Sequence, residues 1–188
     1  MNHTRKHSDG LVRCSWVTDD QLYIDYHDTE WSVETRGQQE LFEGICLEGF
    51  QAGLSWITIL KRREGFRSAF ENFQIQSVAN FQDEDVIRLM ADERIIRNQA
   101  KIRSAINNAR IVIEKDINLP ELMWSFAPKQ ALTQAKGFSW KATSLESEAL
   151  SKALRSLGFS FVGPTTMYAL MQSSGMVKDH SPGCFRRV

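Results

Sequence analysis

An apolar run with helical periodicity, between residues 38 and 60, constrains the fold of this chain most. Small and apolar residues recur there at intervals of three or four positions: Leu41, Ile45, Gly49, Ala52 and Trp56. This spacing is that of one face of an α-helix, and Glu48 lies about 20° from Leu41 on the same face. A carboxylate among apolar side chains needs a partner or loses its charge. Glu48 is therefore either a candidate functional residue or a structural residue paired with a buried donor.

The remaining sequence is also dominated by helical patterns, so we expect an all-α fold. The helix of the apolar run is predicted to continue to about Arg63, and Gly65 is predicted to interrupt it. Residues 98–115 form a long amphipathic pattern. Thr143 and Glu146 carry the capping-box signature that opens another helix.

The composition predicts one compact domain or two small lobes, because the 188-residue chain is 42% hydrophobic. No apolar run approaches the roughly 20 residues that a membrane-spanning helix needs, so no membrane partner is expected. Residues 1–12 are polar and unlike a signal peptide, and we expect a disordered tail there, followed by a single domain over residues 13–188. Three cysteines are too few for a disulfide scaffold, which favours a cytoplasmic location.

The formal net charge is zero, but the charges are unevenly distributed. Residues 1–50 carry four Lys or Arg and ten Asp or Glu, whereas residues 51–188 carry nineteen and thirteen. The clearest basic segment is residues 94–110, where five Lys or Arg occur without an acid. This segment is either a nucleic-acid contact or an ordinary solvated helix face.

The sequence GFSFVG joins two predicted helices near the C-terminus. It runs from Gly158 to Gly163, Pro164 then occupies the first position of the next helix, and Gly175 ends that helix. The free backbone N–H groups and the positive dipole end between Gly163 and Thr166 suit a phosphate. The alternative is a plain helical hairpin whose glycines only make the turn.

Two cysteine–histidine pairs lie near the two ends of the chain. Twelve residues separate Cys14 from His27, and three separate His180 from Cys184. Together they form a Cys2His2 set of the kind that holds a structural Zn²⁺ in a tetrahedron, which would fasten the N-terminal segment to the C-terminal tail. The alternative is a chance occurrence of two Cys and two His.

Several long segments resemble the DNA-3-methyladenine glycosylase I family, a helix-hairpin-helix family that excises 3-methyladenine. The resemblance extends from about residue 13 to residue 184 and rests on LYIDYHDTEW, LFEGICLEGFQAGLSWITILKRRE, IIRNQAKIRSAINNAR and ALSKALRSLGFSFVGPTTMYALMQSSGMVKDH. It implies a two-lobed all-α fold with the damaged base between the lobes and a zinc site at the four Cys and His residues. The chain reads EWSVE where the family tends to have EWGVP, and Phe50 stands where Gln is common.

The resemblance also implies the site residues. The base would be bound by Trp16, Tyr23, Tyr26, Glu48 and Trp56. The DNA would be contacted by Gly53, Leu54, Gly158, Gly163, Thr165 and Thr166. Glu48 would be the catalytic residue, ahead of Asp179, and would accept hydrogens from the adenine edge of a cationic base while aromatic faces stack on it. Leu54 would fill the gap left by a flipped nucleotide, or else is a core leucine.

The implied protein is a monomeric enzyme that hydrolyses the N-glycosidic bond of 3-methyladenine in alkylated double-stranded DNA, without lyase activity. Two other classes stay open on the sequence alone. One is a non-catalytic reader of alkylated DNA. The other is a zinc-dependent hydrolase in which His27, His180 and one cysteine hold the metal and a water molecule.

Overall fold

The computed structural model describes residues 3–129 and 138–187, and most of its regular structure is helical, as predicted. The strands are β1 (Thr4–Lys6) and β2 (Val12–Cys14). The α-helices are α1 (Gln21–Thr29), α2 (Gln38–Gln51), α3 (Trp56–Leu60), α4 (Arg63–Ala69), α5 (Ile75–Ala79), α6 (Asp83–Ala91), α7 (Gln99–Glu114), α8 (Leu119–Trp124), α9 (Leu145–Leu157) and α10 (Pro164–Ser173). A 3₁₀ turn, Glu71–Phe73, follows α4. Within the described ranges, no helix is long and apolar enough to cross a membrane.

The first residues of the chain form a β-hairpin, so the prediction of a disordered tail over residues 1–12 is wrong for the part that is described. β1 and β2 pair in antiparallel register, with Thr4 opposite Cys14. The buried guanidinium of Arg13 donates hydrogen bonds to the carboxylates of Asp9 and Asp28. Backbone pairing and these charge-assisted hydrogen bonds order a segment whose polar composition alone indicated fraying.

The apolar run folds as separate helices, so the prediction of one helix reaching Arg63 is wrong. α2 ends at Gln51, and α3 begins at Trp56. Gly53 between them has φ +82°, and the buried ammonium of Lys101 donates to two carbonyl oxygens at the end of α2, at 2.9 and 2.6 Å. Both features end α2. The left-handed conformation of Gly53 cannot continue an α-helix, and the Lys101 ammonium satisfies carbonyl oxygens that have no partner within the helix. Gly65 lies inside α4 and does not interrupt a helix.

The capping box of α9 lies one residue later than predicted. Ser144, and not Thr143, is the N-cap, and its hydroxyl accepts from the backbone N–H of Ser147 at 3.2 Å. The hydroxyl of Ser147 in turn accepts from the N–H of Ser144 at 2.9 Å. Two serines therefore make the reciprocal bonds that the predicted box assigned to Thr143 and Glu146.

Ser32, where the chain departs from the family pattern, adopts a left-handed backbone conformation with φ +66°. Its hydroxyl donates to the carbonyl oxygen of Val177 at 3.2 Å, and its own carbonyl accepts from the ammonium of Lys178 at 2.6 Å. These bonds hold a conformation that glycine adopts at lower cost.

The buried apolar side chains form two clusters, and the site lies where they meet. The larger cluster is built by α2, α7, α9 and α10, with α10 packed against both α9 and α2. The smaller one contains Cys14, Tyr26, Trp31 and Cys184. Trp56 packs against both clusters, and α3 contacts α1 as well as α2. The three helices that carry predicted base-binding residues are therefore held next to one another.

Candidate active site

Glu48 is a buried carboxylate, as predicted from its place on the apolar face of α2. Only 5% of the residue is exposed. Its Oε1 accepts a hydrogen bond from the Ser173 hydroxyl at 3.3 Å, and its Oε2 has no partner among the described residues. Burial raises the pKa of Glu48 to about 8, and the bond from Ser173 opposes this rise. The free oxygen is available to accept a hydrogen or to face a positive charge.

All five residues predicted to bind the base line one cavity of about 200 Å³. Trp16 precedes α1, Tyr23 and Tyr26 are on α1, Glu48 is on α2, and Trp56 opens α3. The rings of Trp16 and Tyr23 lie 5.0 Å apart between centroids, and those of Tyr26 and Trp56 lie 5.5 Å apart. The described wall therefore combines aromatic faces with one carboxylate, Glu48, and one ammonium, Lys141. The aromatic faces and the carboxylate suit a flat and positively charged ring. The structure brings these five residues together but does not by itself assign their roles.

A second cavity, of about 220 Å³, shares Tyr26, Glu48 and Trp56 with the first. Most of its other charged side chains are paired, because Arg63 binds Glu30 through two hydrogen bonds, at 2.5 and 2.9 Å, and Arg67 binds Glu43 at 2.9 Å. Glu40 also lines this cavity and has no ion pair with a described residue. Because these charges satisfy each other, the aromatic cavity is the better candidate for the base.

The four predicted metal ligands are all buried, and their ligand atoms lie within 4.8 Å of one another. The Sγ of Cys184 is 3.5 Å from His27 Nε2 and 3.6 Å from His180 Nδ1, and the Sγ of Cys14 is 3.7 Å from His180 Nδ1. A tetrahedral zinc with sulfur at about 2.3 Å and nitrogen at about 2.0 Å separates the two by about 3.6 Å, so the donor set fits this ion.

The surroundings of the Cys2His2 cluster also suit a metal. The Nδ1 of His27 lies 2.7 Å from the carboxylate of Asp28, which fixes the ring with Nε2 facing the cluster. The backbone N–H of Ser181 donates to the sulfur of Cys14 at 3.3 Å. The hydrogen bond between the two thiols lowers the pKa of Cys184 and raises the pKa of Cys14, so Cys184 is the thiol that ionises more readily.

The GFSFVG segment forms a tight turn between α9 and α10. Gly158 has φ +105°, and Gly163 is the N-cap of α10 with Pro164 at the first helical position, as predicted. No side chain in the described part of the chain caps the N-terminus of α10. The amide of Asn108 on α7 bonds both the N–H and the carbonyl of Ser160, at 3.0 and 3.1 Å. The turn is thus anchored while the N–H groups near Gly163 are left without a side-chain acceptor.

The comparisons with known proteins agree with this geometry. A family model described as methyladenine glycosylase matches residues 16–187. The chain belongs to the methyladenine glycosylase family. It is 50% identical over 179 residues to DNA-3-methyladenine glycosylase 1 of Escherichia coli (strain K12), a match that covers 93% of this chain and 96% of that protein.

Two solved structures of methyladenine glycosylases match the fold closely. One is 3-methyladenine DNA glycosylase I (TAG), with 43% identity and a TM-score of 0.86 over 94% of this chain and 100% of that one. The other is a variant of such an enzyme in complex with 3-methyladenine, with 29% identity and a TM-score of 0.86 over 94% of this chain and 97% of that one.

Several residues of the cavity wall were not predicted from the sequence. They are Trp31, Gln51, Trp140, Lys141, Ala169 and Gln172. Trp31 belongs to the aromatic stretch of the N-terminal segment, so its residue type and position were a signal for including it among the base-binding residues. The last two are on α10, far from the other wall residues in sequence. No periodicity in the sequence indicates that α10 packs against α2 at this point.

The residues between α2 and α3 form an exposed loop at the end of the helix that carries Glu48. Leu54 is 41% exposed, and Gly53 is exposed as well. The alternative that Leu54 is a core leucine is therefore wrong. The two bonds from Lys101 fix the start of this loop, so Leu54 projects from a held backbone.

The basic segment of residues 94–110 is not a free cationic surface. Arg94 and Arg103 pair with Asp92 and Asp83 at 2.7 and 3.0 Å. Arg110 donates to two backbone carbonyls, and the ammonium of Lys101 is buried as described. Lys101 and Arg110 are thus used within the fold, whereas Arg94, Arg97 and Arg103 stay half-exposed and pair with acids that lie outside the segment.

Proposed function

We propose that this chain is a DNA-3-methyladenine glycosylase, which flips 3-methyladenine out of alkylated double-stranded DNA and hydrolyses its N-glycosidic bond. The observation that carries the proposal is the aromatic cavity with one buried carboxylate, in a chain of the methyladenine glycosylase family. The complex of a related enzyme with 3-methyladenine supports the same substrate.

The electrostatics of the cavity supports selection of an alkylated base. Methylation at N3 makes the adenine cationic in DNA, and a cation beside Glu48 stabilises the ionised carboxylate that burial disfavours. The faces of Tyr26 and Trp56 add a cation–π attraction. A normal adenine is neutral and supplies no positive charge to stabilise ionised Glu48, so it lacks this attraction.

The chemistry needs little further assistance from the protein. The positive charge already weakens the glycosidic bond, so base release neutralises the leaving group without a proton donor. Glu48 would contact the base and stabilise its bound form, and water completes the hydrolysis. The product would be an abasic site in an intact strand, since we propose a monofunctional enzyme without lyase activity.

We assign the DNA contacts to two segments, the loop that follows the C-terminal end of α2 and the turn that precedes α10. The turn would hold the DNA backbone through N–H groups, as in a helix-hairpin-helix module, at Gly158, Gly163, Thr165 and Thr166. Gly53 and Leu54 would fill the space left by the flipped nucleotide, which needs an exposed apolar side chain on a fixed loop. The two apolar clusters would correspond to the two lobes of a protein that acts as a monomer.

Cys14, His27, His180 and Cys184 would hold a structural Zn²⁺. The ion would supply no chemistry to the base, because four protein ligands complete its tetrahedron. It would join β2 and α1 to the C-terminal segment and so stabilise the fold at the two ends of the chain. The hydrolase alternative requires one of these ligands to be replaced by water, which the close packing of all four does not favour.

The deciding experiment is incubation of the protein with methylated duplex DNA, followed by identification of the released base by mass spectrometry. We expect 3-methyladenine in solution and strands that break only after later treatment with alkali. Tight binding of the DNA with no released base would instead identify a non-catalytic reader. Glu48→Gln is the matched control, because it keeps the volume and removes the charge.

A further inference from the structure

Gln172 lines the aromatic cavity, and a hydrogen bond to Asp179 holds its side chain. It lies in the last turn of α10, lines the aromatic cavity, and is followed by Ser173, whose hydroxyl bonds Glu48. Its amide Nε2 donates to Oδ2 of Asp179 at 2.9 Å. The same carboxylate oxygen accepts the hydroxyl of Tyr168 at 2.6 Å.

The chemistry of these groups fixes how the Gln172 amide is oriented. An ionised carboxylate can only accept hydrogen bonds, so the end of the amide that faces Asp179 must be the NH₂ group. The carbonyl oxygen Oε1 is then the other end. Within residues 3–129 and 138–187, no group donates a hydrogen bond to that oxygen. Because Gln172 lines the cavity, we take this oxygen as a neutral acceptor for a ligand bound beside Glu48.

We propose that Gln172 is a specificity-determining residue that accepts a hydrogen from the exocyclic amine of the bound base, and that Asp179 is its positioning residue. The inference rests on the proposed function and names which alkylated bases the site prefers. An adenine amine offers two hydrogens, one for each of two acceptors. A guanine derivative presents an oxygen at the same position, which an acceptor disfavours because neither group can donate.

This role differs from that of a general base. Oδ2 of Asp179 already accepts two hydrogen bonds, and Asp179 does not line the aromatic cavity. Asp179 would thus act on the base through the orientation of Gln172. Without the bond to Asp179, the side-chain amide of Gln172 could rotate by about 180°. Its NH₂ group would then lie where the carbonyl oxygen is needed as an acceptor.

The test compares release of 3-methyladenine and 3-methylguanine from the same methylated duplex DNA. Gln172→Leu keeps a similar volume and removes the acceptor. We expect about a tenfold loss of kcat/KM for 3-methyladenine, the size of one hydrogen bond to a charged group, and little change for 3-methylguanine. Asp179→Asn should also lower the preference for 3-methyladenine over 3-methylguanine. An asparagine amide both donates and accepts hydrogen bonds, so it no longer fixes the orientation of Gln172. Zinc analysis of this variant controls for its proximity to His180.

Tyr168→Phe is the matched control, because it removes the other donor to Asp179 and leaves the bond from Gln172 in place. Its base preference should equal that of the parent. If Gln172→Leu lowered kcat/KM equally for release of 3-methyladenine and 3-methylguanine, or left the preference between them unchanged, the inference would be overturned. The proposed function would remain intact.

Binding of free bases separates the inference from catalysis. Titration should show that Gln172→Leu weakens binding of 3-methyladenine about tenfold and leaves binding of 3-methylpurine, which lacks the amine, unchanged. Equal weakening of both ligands would mean that Gln172 only shapes the cavity. Failure of the parent to release any base, with this binding pattern retained, would reject the enzyme activity and keep the assignment of Gln172.

Discussion

Replacement of Glu48 by Gln should make the protein more stable at neutral pH and less active. The folded-state pKa of Glu48 is about 8, raised by burial from an ordinary 4.5. Between these values the folded protein binds more protons than the unfolded chain, so the free energy of unfolding falls as the pH rises. Gln has no such titration. The difference in stability between the variant and the parent should therefore grow with pH through this window.

The magnitude follows from the two pKa values. Each pH unit within the window changes the free energy of unfolding by about 1.4 kcal/mol. The variant should gain about 3 kcal/mol over the parent between pH 4 and pH 7, and about 5 kcal/mol once the pH exceeds 8. Glu48 is almost fully buried, so solvent screens little of this effect. The bond from Ser173 is retained in the variant, because an amide oxygen also accepts.

Urea unfolding of both proteins at several pH values measures the difference, and base release measures the activity. The kcat/KM of the parent should rise with pH towards about 8 as Glu48 ionises, whereas that of the variant should be low and nearly independent of pH. A stability difference that stays constant from pH 4 to pH 9 would refute the reasoning, since Glu48 would then not be a proton-binding group of the folded protein.

Other predictions concern the metal, the turn and the loop. His180→Ala should abolish zinc binding and lower the melting temperature while activity per folded molecule is kept, and zinc analysis that finds no metal in the parent would reject this. Gly163→Val should weaken DNA binding but not stability, because the nearest atom of the described residues to a Cβ there is Nη2 of Arg155, at 3.5 Å. Gly158→Val should destabilise the fold, since φ is +105° and Ile111 lies 3.1 Å from the added carbon. Leu54→Ala should slow base release from duplex DNA with a stability change of about 0.5 kcal/mol or less, as measured by unfolding, and an equal effect on free-base binding would exclude a wedge. The log-log salt slope of DNA affinity should be shallower than that of proteins with roughly 6 to 10 phosphate contacts, because the proposed phosphate site uses backbone N–H groups in place of Lys and Arg side chains.

Sequence alone determined the helical class and the candidate chemistry of this protein. Glu48 was identifiable because helix periodicity is a local property, which places one carboxylate on an apolar face whatever surrounds the helix. The turn at Gly158 and Gly163 was identifiable for a similar reason, since glycine and proline restrict the backbone at their own positions.

Features that depend on distant contacts were decided only by the tertiary structure. The apolar run is broken where Lys101, some fifty residues away, takes the carbonyls at the end of α2. The N-terminal strand is ordered by its partner strand and by Arg13, neither of which its polar composition reveals. Gln172 joins the cavity only because α10 packs on α2 and Asp179 fixes its amide. Asp179 lies beyond the end of α10, where helix periodicity no longer applies, so the orientation of the Gln172 amide follows from the fold and not from the sequence.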